Sequence, residues 1–180
     1  MWLLCLAAHA GAGSRVEPAE VALRYVRACQ DGAWDEVVKM TAWMRDRLDR
    51  VSAKEASSAK REAVVKELSD SLRQRTAEGN RLRTEGIEDV YLFAPGATVR
   101  LLRTDAGRTD LDRPVCGRAW LEVTYPTREK APRDEKGRAI RSLVVGLNAS
   151  GDGLILKARV LGNADIDVHS ITYRWDEAGG

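Results

Sequence analysis

The chain has 180 residues, of which 44% are hydrophobic and 31% are charged, a composition typical of a globular protein with one hydrophobic core. Its 29 Lys and Arg residues nearly balance 27 Asp and Glu residues, so no overall field favours binding to nucleic acid or to an acidic membrane surface. No apolar run approaches the roughly 18 residues of a membrane-spanning helix, and we predict neither a transmembrane segment nor a nucleic-acid partner.

The opening residues have the pattern of a secretory leader. Residues 2–8 are apolar throughout, and Ala8-His9-Ala10 is an A-x-A site that a signal peptidase could cut before Gly11. We therefore predict that residues 1–16 are a cleavable signal peptide or a disordered leader, and that the protein is secreted or periplasmic. The alternative is a cytoplasmic protein with an apolar N-terminus.

Two cysteines, Cys29 and Cys116, remain once the leader is removed. An oxidising compartment would permit a disulfide between them, but two cysteines alone do not show that they lie close together. The chain has no C-x-x-C motif and only two histidines, so we predict no metal site. Because nucleotide-binding and metalloprotease motifs are absent, no cofactor is predicted either.

Three helices are predicted in the first half of the chain. The first begins at Pro18, where a first helical turn tolerates proline, and it ends near Asp31. Apolar residues then recur at three- and four-residue steps from 33 to 51, which predicts one continuous second helix. A narrow apolar stripe predicts a third helix over 59–78, with a solvated charged face.

The second half of the chain has the pattern of short antiparallel strands. A polar, charged segment at 126–138 is expected to be a surface loop, and Ser150-Gly151-Asp152-Gly153 predicts a hairpin turn. The predicted strands cover residues 90–93, 98–102, 120–125, 140–147, 154–161 and 169–175. We therefore predict a single α+β domain over 17–176, in which N-terminal helices pack on a curved, mainly antiparallel sheet.

This order of elements resembles the nuclear transport factor 2-like superfamily, in particular its small exported bacterial members of the lumazine-binding-like kind. The resemblance rests on the first helix, on the stretch DGAWDEVVKM that joins it to the second, and on the strands from 88 to 175. It implies a cone-like fold whose mouth can form a pocket. Some members of the superfamily are isomerases, dehydratases or hydrolases, and many exported members have no known activity.

An enzyme of this kind needs a base and an acidic donor in a dry cavity. The catalytic candidates are Asp167 and His169, which share one face if their segment is a strand, with Tyr125 or Tyr173 as the donor. Asp165 lies next to this pair but belongs first to a predicted turn. The alternative is a polar turn with a solvent-facing histidine.

A second set of residues could bind a ligand. Trp120 and Trp175 are candidates for lining an apolar pocket or for filling the core. Arg118 and Arg159 would hold an acidic ligand if they point inward, or they would form cross-strand charge pairs if they point outward.

The sequence thus predicts an exported, non-enzymatic domain that binds a small apolar ligand or a protein partner in the cell envelope. The alternative is a small acid–base enzyme of the same fold, similar to an isomerase or dehydratase. A homodimer formed through the sheet is a further expectation.

Overall fold

The computed structural model describes residues 16–54, 58–78, 92–107, 115–134, 136–155 and 166–175. In these ranges four helices precede four strands: α1 (Pro18–Gln30), α2 (Trp34–Met40), α3 (Ala42–Lys54), α4 (Ser58–Glu78), β1 (Thr98–Ala106), β2 (Val115–Thr124), β3 (Ser142–Ser150) and β4 (Ile166–Thr172). The strands pair in chain order in one antiparallel sheet that does not close on itself. Helices packed on an antiparallel sheet confirm the predicted α+β class.

Helix α1 is the helix that lies directly on the sheet. Glu17 is extended at the N-cap, Pro18 occupies the first turn, and the helix ends at Asp31, which confirms the predicted bounds. Its buried face, which includes Tyr25, Val26 and Cys29, packs against β2 and β3.

The predicted second helix is wrong as a single element, because the chain leaves helical geometry at Thr41. Thr41 has an extended backbone (φ −89°, ψ 120°) and is fully buried. The backbone of Ile155 explains the break: its N–H donates to the Met40 carbonyl at 2.8 Å, and its carbonyl accepts from the Ala42 N–H at 2.9 Å. The Thr41 hydroxyl adds a bond to the Val37 carbonyl at 2.7 Å. This pairing joins α2 and α3 to a segment more than one hundred residues away.

Helix α4 confirms the predicted third helix and packs on α2 and α3. The Ser69 hydroxyl donates to the Asp35 carboxylate of α2 at 2.5 Å. Arg47 of α3 forms an ion pair with Glu67 at 2.9 Å. None of the described helices has both the length and the apolar character needed to cross a membrane.

The strands differ from the prediction at several places. β4 ends at Thr172, so residues 173–175 of the predicted last strand lie beyond it. Leu92 and Phe93, which were predicted to form a strand, are buried in a turn, and 90–91 lie outside the described residues. The predicted turn at 150–153 is confirmed: the Gly153 N–H donates to the Ser150 carbonyl at 3.0 Å. Of the strand predicted after it, Ile155 forms single bridges to Ala149 and to Thr41, and 156–161 lie outside the described residues.

Small residues at the start of β2 allow α1 to approach the sheet. The inward positions of this strand are Gly117, Ala119, Leu121, Val123 and Tyr125, and all five are buried. A Cβ atom added at Gly117 would lie 2.4 Å from Pro18 Cγ and 2.9 Å from the Asp105 carbonyl oxygen, distances that atoms in contact do not adopt. The first turn of α1 therefore depends on the missing side chain of Gly117.

The two cysteines lie near opposite ends of α1. Gly117, the neighbour of Cys116, contacts Pro18, whereas Cys29 is buried eleven residues further along the helix. Those eleven residues span roughly 16 Å of helix axis. This placement does not favour a disulfide, whose Cα atoms lie within about 7 Å of each other.

We expect Gly117→Ala to lower the free energy of unfolding by about 1–3 kcal/mol, because the added methyl group overpacks a close contact. Urea unfolding followed by circular dichroism measures the change. Gly151→Ala is the control, since nothing lies within 4 Å of its added Cβ. Pro18→Ala in the Gly117→Ala background removes Cγ and should restore part of the loss; equal stability of all these variants would contradict the packing argument.

Candidate functional site

The sheet has one face covered by helices and one outer face, and the alternation of β2 divides its side chains between them. Trp120 and Glu122 alternate with the inward residues, and Arg118 lies on the same outer face. In the antiparallel register, Arg103 of β1 and Gly146 of β3 are the neighbours of Trp120. Directly opposed residues share a face, so these positions form a band across the outer face.

The centre of this band is a cluster around Trp120, which we call the outer-face cluster. It consists of Arg103, Asp105, Arg118, Trp120, Asn148 and His169. The guanidinium carbons of Arg103 and Arg118 lie 5.1 and 5.3 Å from the centre of the indole ring, within the range of cation–π attraction. The indole N–H donates to the Asp105 carboxylate. Trp120 is therefore only 7% exposed although it lies on the outer face.

Arg118 is held in position from β3. Its Nε donates to the Asn148 side-chain oxygen at 2.6 Å, and Asn148 is 4% exposed. A Cβ atom at Gly146 would lie 2.8 Å from Arg118 Cδ and 3.2 Å from the Trp120 ring. The absence of a side chain at Gly146 thus provides the space in which Arg118 and Trp120 pack.

Two β-bulges lie beside Trp120. The pairing of β1 with β2 shifts at Leu102, immediately before Arg103. The pairing of β3 with β4 shifts at His169, between Val168 and Ser170. A bulge bends a strand and re-aims its side chains, and both bulges adjoin residues that face the indole. The His169 ring lies 5.6 Å from the Trp120 ring in an edge-on arrangement, and His169 itself is exposed.

Tyr125, a predicted proton donor, lies in the core on the helix-facing side of the sheet. Its hydroxyl donates to the Leu92 carbonyl at 2.7 Å, and burial raises the pKa of this hydroxyl. Tyr125 and His169 are therefore separated by the sheet. Asp167 is opposite Gly146 in the register of β4, but its side chain lies outside the described residues, as do Asp165 and Arg159.

Tyr173 and Trp175 follow β4 and lie beside the charged loop, at the end of the sheet where Ser142 pairs with Thr124 and Thr172. The Arg138 guanidinium is 4.1 Å from the centre of the Tyr173 ring. The Trp175 indole donates to the Ala139 carbonyl at 3.2 Å. The structure thus brings Trp120, Arg118 and His169 together, whereas Tyr125, Tyr173 and Trp175 lie elsewhere.

A surface hollow of about 410 Å³ lies between α1 and the start of α2. Its lining includes Glu20, Arg24, Arg27 and Glu36 but none of the predicted site residues. An ion pair of 2.7 Å joins Arg24 to Glu36 across it. Within the described part of the chain, no three His, Cys, Asp or Glu side chains are grouped as metal ligands.

The sequence prediction did not include Arg103, Asp105, Gly146 or Asn148 in a site. A signal was present for the first two, because Arg103 and Asp105 alternate in a strand and must share one face. The bulge that directs Arg103 to the indole has no local signature. Asn148 lies just before the predicted turn at 150–153, and its amide is nearly buried in the cluster.

Comparison with known proteins finds no matching family model, and no curated protein or solved structure is similar to the chain. The resemblance to the nuclear transport factor 2-like superfamily therefore stays a prediction based on the order of elements.

We expect Tyr125→Phe to lower the free energy of unfolding by about 1–3 kcal/mol, because it leaves the buried Leu92 carbonyl without its donor. The measurement is urea unfolding at pH 7. Tyr173→Phe is the comparison: it removes a hydroxyl at a half-buried position, where the hydroxyl bonds the Asp134 carboxylate, and it should cost less than the loss of the buried bond. Unchanged stability of Tyr125→Phe would contradict a structural role for this hydroxyl.

Asp134 offers a pH-dependent prediction within the charged loop. Its carboxylate accepts bonds from the Arg138 amide at 2.8 Å and the Arg138 guanidinium at 2.7 Å. Desolvation raises the pKa of Asp134, but these bonds and one from the Tyr173 hydroxyl outweigh it and hold the pKa below the usual range.

A lowered folded-state pKa contributes stability that is present above the unfolded pKa of about 3.9 and is lost as the pH falls through the folded pKa. We therefore expect Asp134→Asn to be less stable than the parent at pH 7, with a difference that shrinks below about pH 4. Urea midpoints measured from pH 2.5 to 7 test this, and a difference that grows in acid would contradict it.

Proposed function

We propose that the chain is an exported, non-enzymatic domain that binds a protein partner through the outer face of its sheet. The observation that carries the proposal is the outer-face cluster, in which two arginines and a histidine surround a tryptophan on the side opposite the helices. Tryptophan and arginine are the residues most enriched among those that dominate binding energy at protein interfaces. The leader pattern of the opening residues supports export.

The charges of this face suit a protein surface of mixed sign. Arg100 and Glu122 form an exposed ion pair at 2.8 Å, and Arg103 and Asp105 form another at 3.2 Å. Leu102, which is 42% exposed, adds an apolar side chain beside Arg103. A nearly buried tryptophan with a polar rim is the arrangement expected of an interface core and its surroundings.

The placement of the acid–base candidates favours binding over catalysis. An acid–base site needs donor and base within hydrogen-bond reach of one substrate. His169 is exposed on the outer face, and Tyr125 is in the core with its hydroxyl bonded to Leu92. The resemblance to the nuclear transport factor 2-like superfamily is also consistent with this proposal, because many exported members of that superfamily have no known activity.

Site-specific photo-crosslinking in the native cell tests this function. A photoreactive residue is introduced at Arg100 on the outer face or at Leu102, the exposed residue before Arg103 in β1. The control position is Lys66, which is exposed on α4. We expect one discrete protein adduct from the two β1 positions and none from Lys66. An additional Gly146→Ala change, which crowds Arg118 and Trp120, should reduce the adduct severalfold while leaving the fold intact by circular dichroism.

The identity and place of the adduct complete the test. An adduct of twice the chain mass would identify a second copy as the partner, and any other mass would identify a different protein. Recovery from the envelope fraction of a chain beginning at Gly11 would support export. Equal labelling from both faces, or release of a small-molecule product by the purified chain, would overturn the proposal.

A further inference from the structure

The charged loop and the segment after β4 together carry an excess of positive charge at one corner of the molecule. Residues 126–141 and 173–175 contain seven Lys or Arg and three Asp or Glu, whereas the remaining residues contain 22 and 24. The corner therefore has a net charge of +4, and the rest of the chain has a net charge of −2. This local excess creates a field that the nearly neutral total charge conceals.

The corner is folded and ordered by its own backbone bonds. The Ile140 N–H donates to the Pro132 carbonyl at 2.9 Å, and the Arg141 N–H donates to Thr172 at the end of β4 at 2.7 Å. Asp134 accepts bonds from the amides of Lys136 and Arg138 at the loop tip. These bonds hold the loop against the segment that contains Tyr173 and Trp175.

Three arginines of the loop lie over these two aromatic rings. The guanidinium carbon of Arg138 lies 4.1 Å from the centre of the Tyr173 ring. Those of Arg141 and Arg128 lie 5.1 and 5.9 Å from the centre of the Trp175 ring. Stacking restrains a guanidinium, so that less rotamer freedom is lost when its N–H groups bind a carboxylate. Arg138 pairs with Asp134 at 2.7 Å, and Arg141 donates from Nη1 to the Tyr125 carbonyl. The remaining guanidinium N–H groups of the three arginines are the donors that a carboxylate would meet.

We propose that this basic corner binds an acidic segment of another protein in an extended conformation. Tyr173 and Trp175 are two residues apart and directly follow the end of β4. The guanidinium groups that stack on these two rings are thus gathered at one edge of the molecule. An extended peptide, whose alternate side chains repeat at roughly 6.6 Å, can place several carboxylates beside them. Bidentate contacts between guanidinium and carboxylate then supply affinity and direction.

The same contacts disfavour two other polyanions. Single-stranded nucleic acid binds by stacking its bases on free aromatic faces, but here arginines lie over both rings. Peripheral membrane binding adds apolar insertion to charge attraction. The exposed large apolar side chains of the described residues are on β1 and β4 rather than in this loop: Leu101, Leu102 and Ile171.

Fluorescence anisotropy of a labelled twelve-residue peptide of alternating Glu and Ser, titrated with the full chain, tests the proposal. We expect saturable binding in 50 mM salt that weakens at least tenfold in 500 mM salt, because exposed ion pairs are screened. Arg128→Gln with Arg174→Gln should weaken binding about tenfold. Lys66→Gln with Arg73→Gln on exposed α4 removes the same charge elsewhere and should leave binding unchanged.

Two kinds of result would overturn the proposal. Equal weakening by both variant pairs would show attraction to net charge only and would overturn the corner as a site. Tighter binding of a single-stranded oligonucleotide, or of phosphatidylglycerol vesicles, at equal anionic charge would overturn the peptide assignment. Because the outer-face cluster is intact in these variants, failure here leaves the crosslinking result at Arg100 and Leu102 as an independent measurement.

Discussion

The fold depends on the close approach of helix α1 to strand β2. A helix can lie this near a sheet only where the strand offers no side-chain volume, and Gly117 provides that gap beneath Pro18. Further along the same face the residues become larger, from Ala119 to Tyr125, and they fill the space beneath the helix. Helices α2, α3 and α4 pack on one another and on α1 rather than mainly on the sheet. The contact between α1 and β2 therefore positions the whole helical layer.

The alternation that seats α1 also determines which side chains are available for binding. Each inward residue of β2 is followed by an outward one, so the strand that builds the core also carries Arg118 and Trp120 on its other side. The two aromatic residues Trp120 and Tyr125 look alike in the sequence, but they are five positions apart, and an odd offset places them on opposite faces of a strand. Trp120 therefore belongs to the outer-face cluster. Tyr125 belongs to the core, where its hydroxyl donates a hydrogen bond to the Leu92 carbonyl.

Features that depend on local pattern could be predicted, and features that depend on distant partners could not. Helices α1 and α4, the alternation of β2 and the turn after Ser150 follow from caps, periodicity and turn residues. The break at Thr41 requires the backbone of Ile155, which no pattern around Thr41 reveals. The bulges at Leu102 and His169 likewise arise from register between strands, and for that reason the cluster they frame was recognised only in part.

The pairing of Ile155 with the residues around Thr41 joins the helical layer to the sheet through main-chain bonds as well as through side-chain packing. Ile155 also bridges Ala149 at the end of β3, so one residue belongs to both layers. Local opening of either layer must break the same two backbone hydrogen bonds. The amide hydrogens of Ala42 and Ile155 should therefore exchange with solvent at closely similar rates, as members of one cooperative unit rather than as parts of two.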